Sequence, residues 1–505
     1  MGNILQHHLH HYVERFNKLD EEIYKQKYDN AHAMEWMQNN IPPLDCPDKT
    51  IEEIYYFRWW TFRKHFMDTP EGVLISEFLP QVEWSGAYNT INCASGFHIR
   101  EGRWLRNSRD FIENYIRFWL KGSGSGHSYS SWLIWATWEY CVTTGRKEFG
   151  IELLPELTAD YEKWERELYN PAIGLFWSID DRDAMEMSIS GSGYRPTLNS
   201  YMYAGAVAIG RIAQWAGAES LKKTFEEKAG RLRGQIQSLL WDNDFFKVIP
   251  ADTYGEDQVE TDFAKIDPLR NAKELIGYIP WYFGLPEKGK GYEKAFAYLR
   301  DEKVFCGKTG LRTADASHPR YRYKMEHECL WNGPSWPFAT AQTLVGAANV
   351  ADDSKQNYFS AADYFGLLKQ YAESHYLKKD EGTIIPWIDE DQDPENGVWI
   401  AREILKNNGW KQNKGGYERG KDYNHSVFCD LIISGMLGIC IDEAGNISAN
   451  PKFPMEGPEA WEYCMLDKVP LGNSLYRIQY DKTGARYQNG QGLKIIKLNL
   501  EYNYH

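Results

Sequence analysis

The chain has 505 residues, 57 of them basic and 71 acidic, for a formal charge of −14, with 43% hydrophobic and 25% charged residues. That composition excludes a disordered, collagen-like or coiled-coil protein, and the acidic balance argues against a nucleic-acid backbone or an anionic membrane as partner. The departure from ordinary usage is aromatic: 20 Trp, 33 Tyr and 22 Phe make up 15% of the chain.

Mean hydropathy is −0.59, and no run of about 18 uncharged apolar residues is present, so no membrane span is expected. The opening MGNILQHHLHHYVERF has no charged segment followed by an apolar one. It reads as cytoplasmic as written, or as periplasmic or secreted if a signal has been removed. Cys46, Cys93, Cys141, Cys306, Cys329, Cys429, Cys440 and Cys464 lie far apart without a CxxC, and are expected as buried thiols.

In chain order, helical spacing of apolar residues predicts helices at His8–Leu19 and Ile51–Phe66, then a non-helical stretch over Gly72–Arg100. Further helices are predicted at 108–121, 130–144, 155–169, 197–216, 220–241, 272–283, 292–299, 334–348, 361–376 and 425–441. After Ile441 the pattern changes to short alternating strands with turns, as in Ser474–Tyr480, Asp481–Gly484 and Gly492–Leu498, which predicts a small antiparallel appendage. Alternating βαβ punctuation and short repeats are absent, leaving a large helical body with long connecting loops.

Four of those loops gather carboxylates, rings and glycines. The first, Gly174–Asn199, holds Trp177, four carboxylates at Asp180, Asp181, Asp183 and Glu186, and then Arg195 and Asn199. Met185, Met187 and Ile189 interleave the charges, so a carboxyl held against apolar surface is expected there, which raises its pKa. The second, Pro386–Trp399, carries Trp387 and the run Asp389-Glu390-Asp391. The third, Glu326–Pro337, brackets Asn332-Gly333-Pro334 with Trp331 and Trp336, and the fourth, Gly415–Ser426, contains Tyr423 and His425. Aromatic platforms with convergent polar groups suit a sugar. Two carboxylate clusters suit glycoside hydrolysis, one acid for the leaving oxygen and one base or nucleophile opposite. HExxH, GxSxG, the phosphate-binding P-loop and the dinucleotide fingerprint are missing. The Glu326-His327-Glu328 triplet reads as a hydrogen-bonded histidine rather than a metal site, and no cofactor or metal is expected.

The order of these motifs resembles the (α/α)6-toroid inverting glycosidases: trehalases, processing α-glucosidases of glycoside hydrolase family 63, and mannosylglycerate hydrolase. The resemblance covers roughly residues 75–445 and is firmest over Trp331-Asn-Gly-Pro-Ser-Trp336-Pro337 and Glu390-Asp-Gln-Asp-Pro-Glu-Asn-Gly397. Where that family has Gly-Met-Asp, this chain has Ala184-Met185-Glu186, which implies Glu186 as general acid, with Asp183 the competing candidate. The Glu opening the family's Glu-Asn-x-Asn-Pro carries over to Glu390 as general base. The Arg of the family's Trp-Arg-Gly-Pro is Asn332 here.

The resemblance therefore implies a mainly α protein, an (α/α)6 toroid over residues 1–440 with a β-rich appendage over 441–505. It implies an exo-acting, inverting glycoside hydrolase acting on a small carbohydrate, as a monomer or small homo-oligomer. Trp84, Trp177, Arg195, Asn199, Trp331, Trp336, Trp387, Tyr423 and His425 are the expected substrate contacts. Two other readings stay open: a polysaccharide lyase drawing on Tyr423, His425 and Arg195, and a carbohydrate-binding homologue without activity.

Overall fold

A computed structural model describes residues 2–256 and 259–499. Helices dominate from Gly2 to Met436, and the main β-sheet lies toward the C-terminus. Local chemistry explains the helix starts. The Asp48 carboxylate accepts from the amides of Thr50 and Ile51 and so caps Lys49–Phe62; Ser360 and Asp363 form a reciprocal capping box on Ala361–Glu373. Both use side-chain oxygens to satisfy amides that the first helical turn leaves unpaired. Pro196 and Pro337 occupy the first position of Pro196–Trp215 and Pro337–Ala351, where a missing N–H costs nothing.

Consecutive buried helices pack side by side. Phe97 of Ser95–Gly102 meets Trp132, which precedes Leu133–Thr144, with ring centroids 4.8 Å apart. Trp132 meets Tyr201 of Pro196–Trp215 at 5.1 Å, and Tyr201 meets Phe283 beside Ile279–Tyr282 at 5.9 Å. Asn349 of Pro337–Ala351 donates to the Trp281 carbonyl at 2.9 Å. That helix packs on the π-helical turn Leu431–Met436. Asp430, just before the turn, returns to Ser95–Gly102 by accepting from Arg100 at 2.7 Å and is also bound by Arg103 at 2.8 Å. Lys49–Phe62, Leu154–Leu168, Glu219–Gln235 and Ala361–Glu373 pack against these or against one another. Among the described residues no helix is long and apolar enough to cross a membrane, and all eight cysteines are free.

The sheet is antiparallel, Tyr463–Leu471 pairing with Ser474–Asp481 and that strand with Gly492–Lys497. Its fourth strand is Leu44–Asp45, registered opposite Leu466 and Met465, so the C-terminal segment is tied to the N-terminal part of the chain by backbone bonds. Residues 500–505 of the expected appendage lie outside the described residues.

Two predicted segments differ in kind. Ser95–Gly102 is helical although Gly72–Arg100 was expected to be loop or extended; all eight of its residues are buried, Ser95, His98, Arg100 and Glu101 included, so its polar residues do not mark one solvent face and no helical period stands out. The predicted helix 425–441 contracts to a π-helical turn and ends in the strand Cys440–Ile441.

Candidate active site

Glu186 and Glu390, from the first and second loops, line one cavity of about 230 Å³. Trp84, Trp336, Tyr423 and His425 line it with them, and so do Glu77, Phe78, Cys93, Glu328, Cys329, Lys414 and Arg419.

The first loop is organised by Asp183. Its carboxylate is buried and accepts from Ser130 at 2.6 Å, from Ser178 at 3.3 Å, from the Arg195 guanidinium at 2.6 Å and from the Thr197 hydroxyl. Arg195 is fully buried and also donates to Ser188 and to the Gly191 carbonyl. Asp183 and Arg195 thus neutralise each other inside the protein and lie outside the cavity. Beyond them the backbone takes left-handed values at Ala184 (φ 57°) and Met187 (φ 62°), conformations that are uncommon for non-glycine residues and that bracket Glu186. Its carbonyl accepts from the Trp331 amide at 3.0 Å, and its carboxylate oxygen Oε2 accepts from the Cys329 thiol at 2.9 Å. Burial raises the Glu186 carboxyl above its ordinary range, with Asp181 adding to it against the pull of Cys329.

The third loop joins the other two. Trp331 and Trp336 stack with centroids 4.7 Å apart and planes 10° from parallel; Trp336 lines the cavity and Trp331 backs it. Ser335 and Gln392 exchange backbone hydrogen bonds of 2.8 Å, which anchors the second loop just past Glu390. At Gly333, with φ 153°, a Cβ would collide with Arg322 and the Tyr321 ring, so this bend accepts only glycine. Asn332 is buried and donates to the Lys324 carbonyl, so it faces away from the cavity.

Glu390 is buried, and two guanidinium N–H groups of Arg419 donate to its Oε1, the Nε contact at 2.8 Å. Burial, with Asp389 and Glu77 adding to it, pushes the Glu390 carboxyl up to about 8, Arg419 drawing it only partly back. The proton affinity of Arg419 rises through the same contact, overcoming the burial that would lower it. Two N–H bonds from a permanently charged arginine favour the carboxylate form of Glu390 over what burial alone would leave. Arg419 also approaches Glu328 at 3.6 Å, and Lys414 pairs with Glu328 at 2.6 Å. Opposite, His425 Nδ1 faces Glu77 Oε1 at 2.7 Å and the Tyr423 hydroxyl, with Cys93 Sγ 3.1 Å from Nε2. The second oxygen of Glu77 is buried without a hydrogen-bond partner.

Other expected contacts fall elsewhere. The Trp177 indole donates to the Ala251 carbonyl at 2.9 Å, Asn199 bridges Phe176 and the Arg195 carbonyl, and Trp387 packs under Arg402 at 4.8 Å. They support loops rather than the cavity wall. Sequence reasoning missed Glu77, which lies in the stretch Gly72–Arg100 where only Trp84 stood out, and Cys329 and Cys93, which were read only as buried thiols. Arg419 stood inside the fourth loop, where a lone Arg beside Glu418 gives no signal of its partner.

The model of the mannosylglycerate hydrolase MGH1-like glycoside hydrolase domain matches residues 87–426. A solved structure titled sialidase is 36% identical, with a TM-score of 0.86 over 96% of this chain and 42% of its own. The chain thus spans less than half the length of that protein. A bacterial glucoamylase solved with acarbose is similar at a TM-score of 0.52 and 10% identity, covering 80% of this chain and 57% of that one, a likeness of fold alone. A domain match over about two thirds of the chain makes it a member of the mannosylglycerate hydrolase MGH1-like glycoside hydrolase family.

Proposed function

We propose that this protein is an inverting glycoside hydrolase in which Glu186 protonates the glycosidic oxygen and Glu390 deprotonates water on the opposite face of the sugar. The observation that carries this reading is that two carboxyls from distant loops line one cavity with unlike partners, a neutral thiol on Glu186 and a guanidinium on Glu390. An acid needs an environment that keeps its proton, and a base needs one that keeps its charge. Asp183 serves instead as the anchor of the loop that presents Glu186.

The substrate of this reading is the uncharged non-reducing end of an oligosaccharide or glycoside. Four glutamates line the cavity against Lys414 and Arg419, and both cations are already paired with carboxylates. A carboxylate-bearing sugar would meet an excess of carboxylates, with both permanent cations taken and the two histidines of the lining, His327 and His425, each facing a glutamate. The same shortage disfavours a lyase, which must neutralise a uronic carboxylate. At about 230 Å³ the cavity is below the ~300–1,000 Å³ usual for drug-sized ligands, which suits one terminal ring and hence exo action. Trp84 and Trp336 supply its aromatic faces.

The helical body is read as an (α/α)6 toroid. What supports closure is the succession of buried segments from Ser95–Gly102 round to Leu431–Met436, joined back to the first by Asp430 with Arg100 and Arg103. In this reading residues 1–440 form the catalytic toroid and 441–505 a β-rich appendage. The test of function is proton NMR of the first product formed from a panel of glucosyl and mannosyl disaccharides: inversion of the anomeric centre supports the mechanism, and retention or an unsaturated product overturns it.

A further inference from the structure

We propose that the dipeptide Glu328-Cys329 is a clamp that positions both reacting carboxyls and moderates the opposite protonation preferences of the two, an inference that rests on the Glu186 and Glu390 assignment above. The two side chains diverge from adjacent backbone atoms, and each reaches a different carboxyl. Cys329 donates its thiol hydrogen to Glu186 Oε2 at 2.9 Å. Glu328, 6% exposed, takes Lys414 at 2.6 Å and approaches at 3.6 Å the same Arg419 that is bonded to Glu390. A continuous path therefore runs from Glu186 through Cys329, Glu328 and Arg419 to Glu390.

The two ends of the path act differently. Cys329 is half-buried, and the loss of solvent keeps it a thiol, so it offers Glu186 Oε2 a neutral donor that lowers the carboxyl's proton affinity less than a cation would; the other oxygen, Oε1, is left for the leaving group. Glu328 competes for the Arg419 charge, which moderates how strongly that charge holds Glu390 ionised. Other titratable groups facing Glu186 are Asp181, His327, Cys93 and Tyr129. Those facing Glu390, besides Arg419, are Asp389, Asp391, Glu77, Cys329 and Tyr423. None of these reaches both carboxyls by hydrogen bond or ion pair, whereas the 328–329 segment contacts one and shares the guanidinium of the other.

The signs of two substitutions follow. Cys329→Ala removes a donor that favours the Glu186 carboxylate, so the acid holds its proton to higher pH and the basic limb of the kcat/KM profile moves up by about one pH unit. Glu328→Gln leaves Arg419 to Glu390 alone and frees Lys414, so the base stays ionised to lower pH and the acidic limb moves down by about one pH unit. Cys329→Ser keeps a donor and returns the basic limb toward its original place.

The experiment measures kcat/KM against pH for the full chain and the three variants on a glucosyl or mannosyl disaccharide that the wild type cleaves, with thermal denaturation of each. Movement of opposite limbs, with rescue by serine, supports the clamp. Both limbs fixed while activity falls, both variants moving the same limb, or variants that fail to fold would assign the dipeptide to the fold alone and overturn the proposal. Absence of hydrolysis of every disaccharide by the folded wild type would overturn the glycosidase reading itself, and the clamp with it.

Discussion

Ser335 and Gln392 exchange a reciprocal pair of backbone hydrogen bonds, each 2.8 Å long, and this bridge fixes where the Glu390 loop meets the tryptophan loop. Because only backbone atoms take part, Ser335→Ala leaves the bridge intact and is expected to change kcat/KM by less than about twofold. Ser335→Pro removes one donor and is expected to lower kcat/KM by at least about tenfold, which corresponds to ~1.4 kcal/mol in the barrier. Equal kinetics for the two variants would show that the bridge does not position Glu390.

Glu390→Gln keeps the size of the side chain and removes its capacity to accept a proton. Turnover is expected to fall by about 10²–10⁴-fold, the usual contribution of a general base, while substrate binding by calorimetry persists. A variant hydrolysing at the native rate would refute the base assignment.

For Glu186→Gln the loss is expected to depend on the leaving group. Disaccharides need the proton, so their kcat should drop about 10²–10⁴-fold, whereas activated aryl glycosides should lose far less. Equal losses on both substrates would deny Glu186 the role of acid.

Asp183→Ala leaves the Arg195 guanidinium, which is fully buried, without its counter-charge. Removing one partner of a buried ion pair costs about 3–5 kcal/mol, so chemical denaturation should show a loss of that order. Native stability with abolished turnover would reverse the assignment and make Asp183 the acid.

Burial alone would raise the Asp430 carboxyl, but Arg100, Arg103 and the Trp104 N–H hold it at about 2. A free aspartate titrates near 3.9, so the sign is that of a depressed carboxylate. Its contribution, about 2 kcal/mol, is fully present above pH ~4 and is lost as pH falls toward 2. Asp430→Asn should flatten the decline in stability across that window; an unchanged slope between pH 4 and 2 would assign the acid sensitivity to other carboxylates.

Much of the architecture was legible because long amphipathic segments carry their own period: the spacing over 197–216 and 361–376 anticipates the helices Pro196–Trp215 and Ala361–Glu373. The alternation in Ser474–Tyr480 likewise anticipates a strand. Ser95–Gly102 was hidden because burial on every side erases the contrast on which periodicity depends. The partner strand Leu44–Asp45 was hidden because two residues carry no pattern.

At the site, the sequence by itself singled out the loops that meet at the cavity, since clustered carboxylates beside tryptophans and tight bends are local features. It could not rank Asp183 against Glu186, which stand three positions apart in one polar run. Only the tertiary structure decided that Arg195 meets one and Cys329 the other, and that Arg419 belongs to Glu390. The physical reason is that a carboxyl's role is set by its partners and its distance from water, and those partners come from loops remote in the chain.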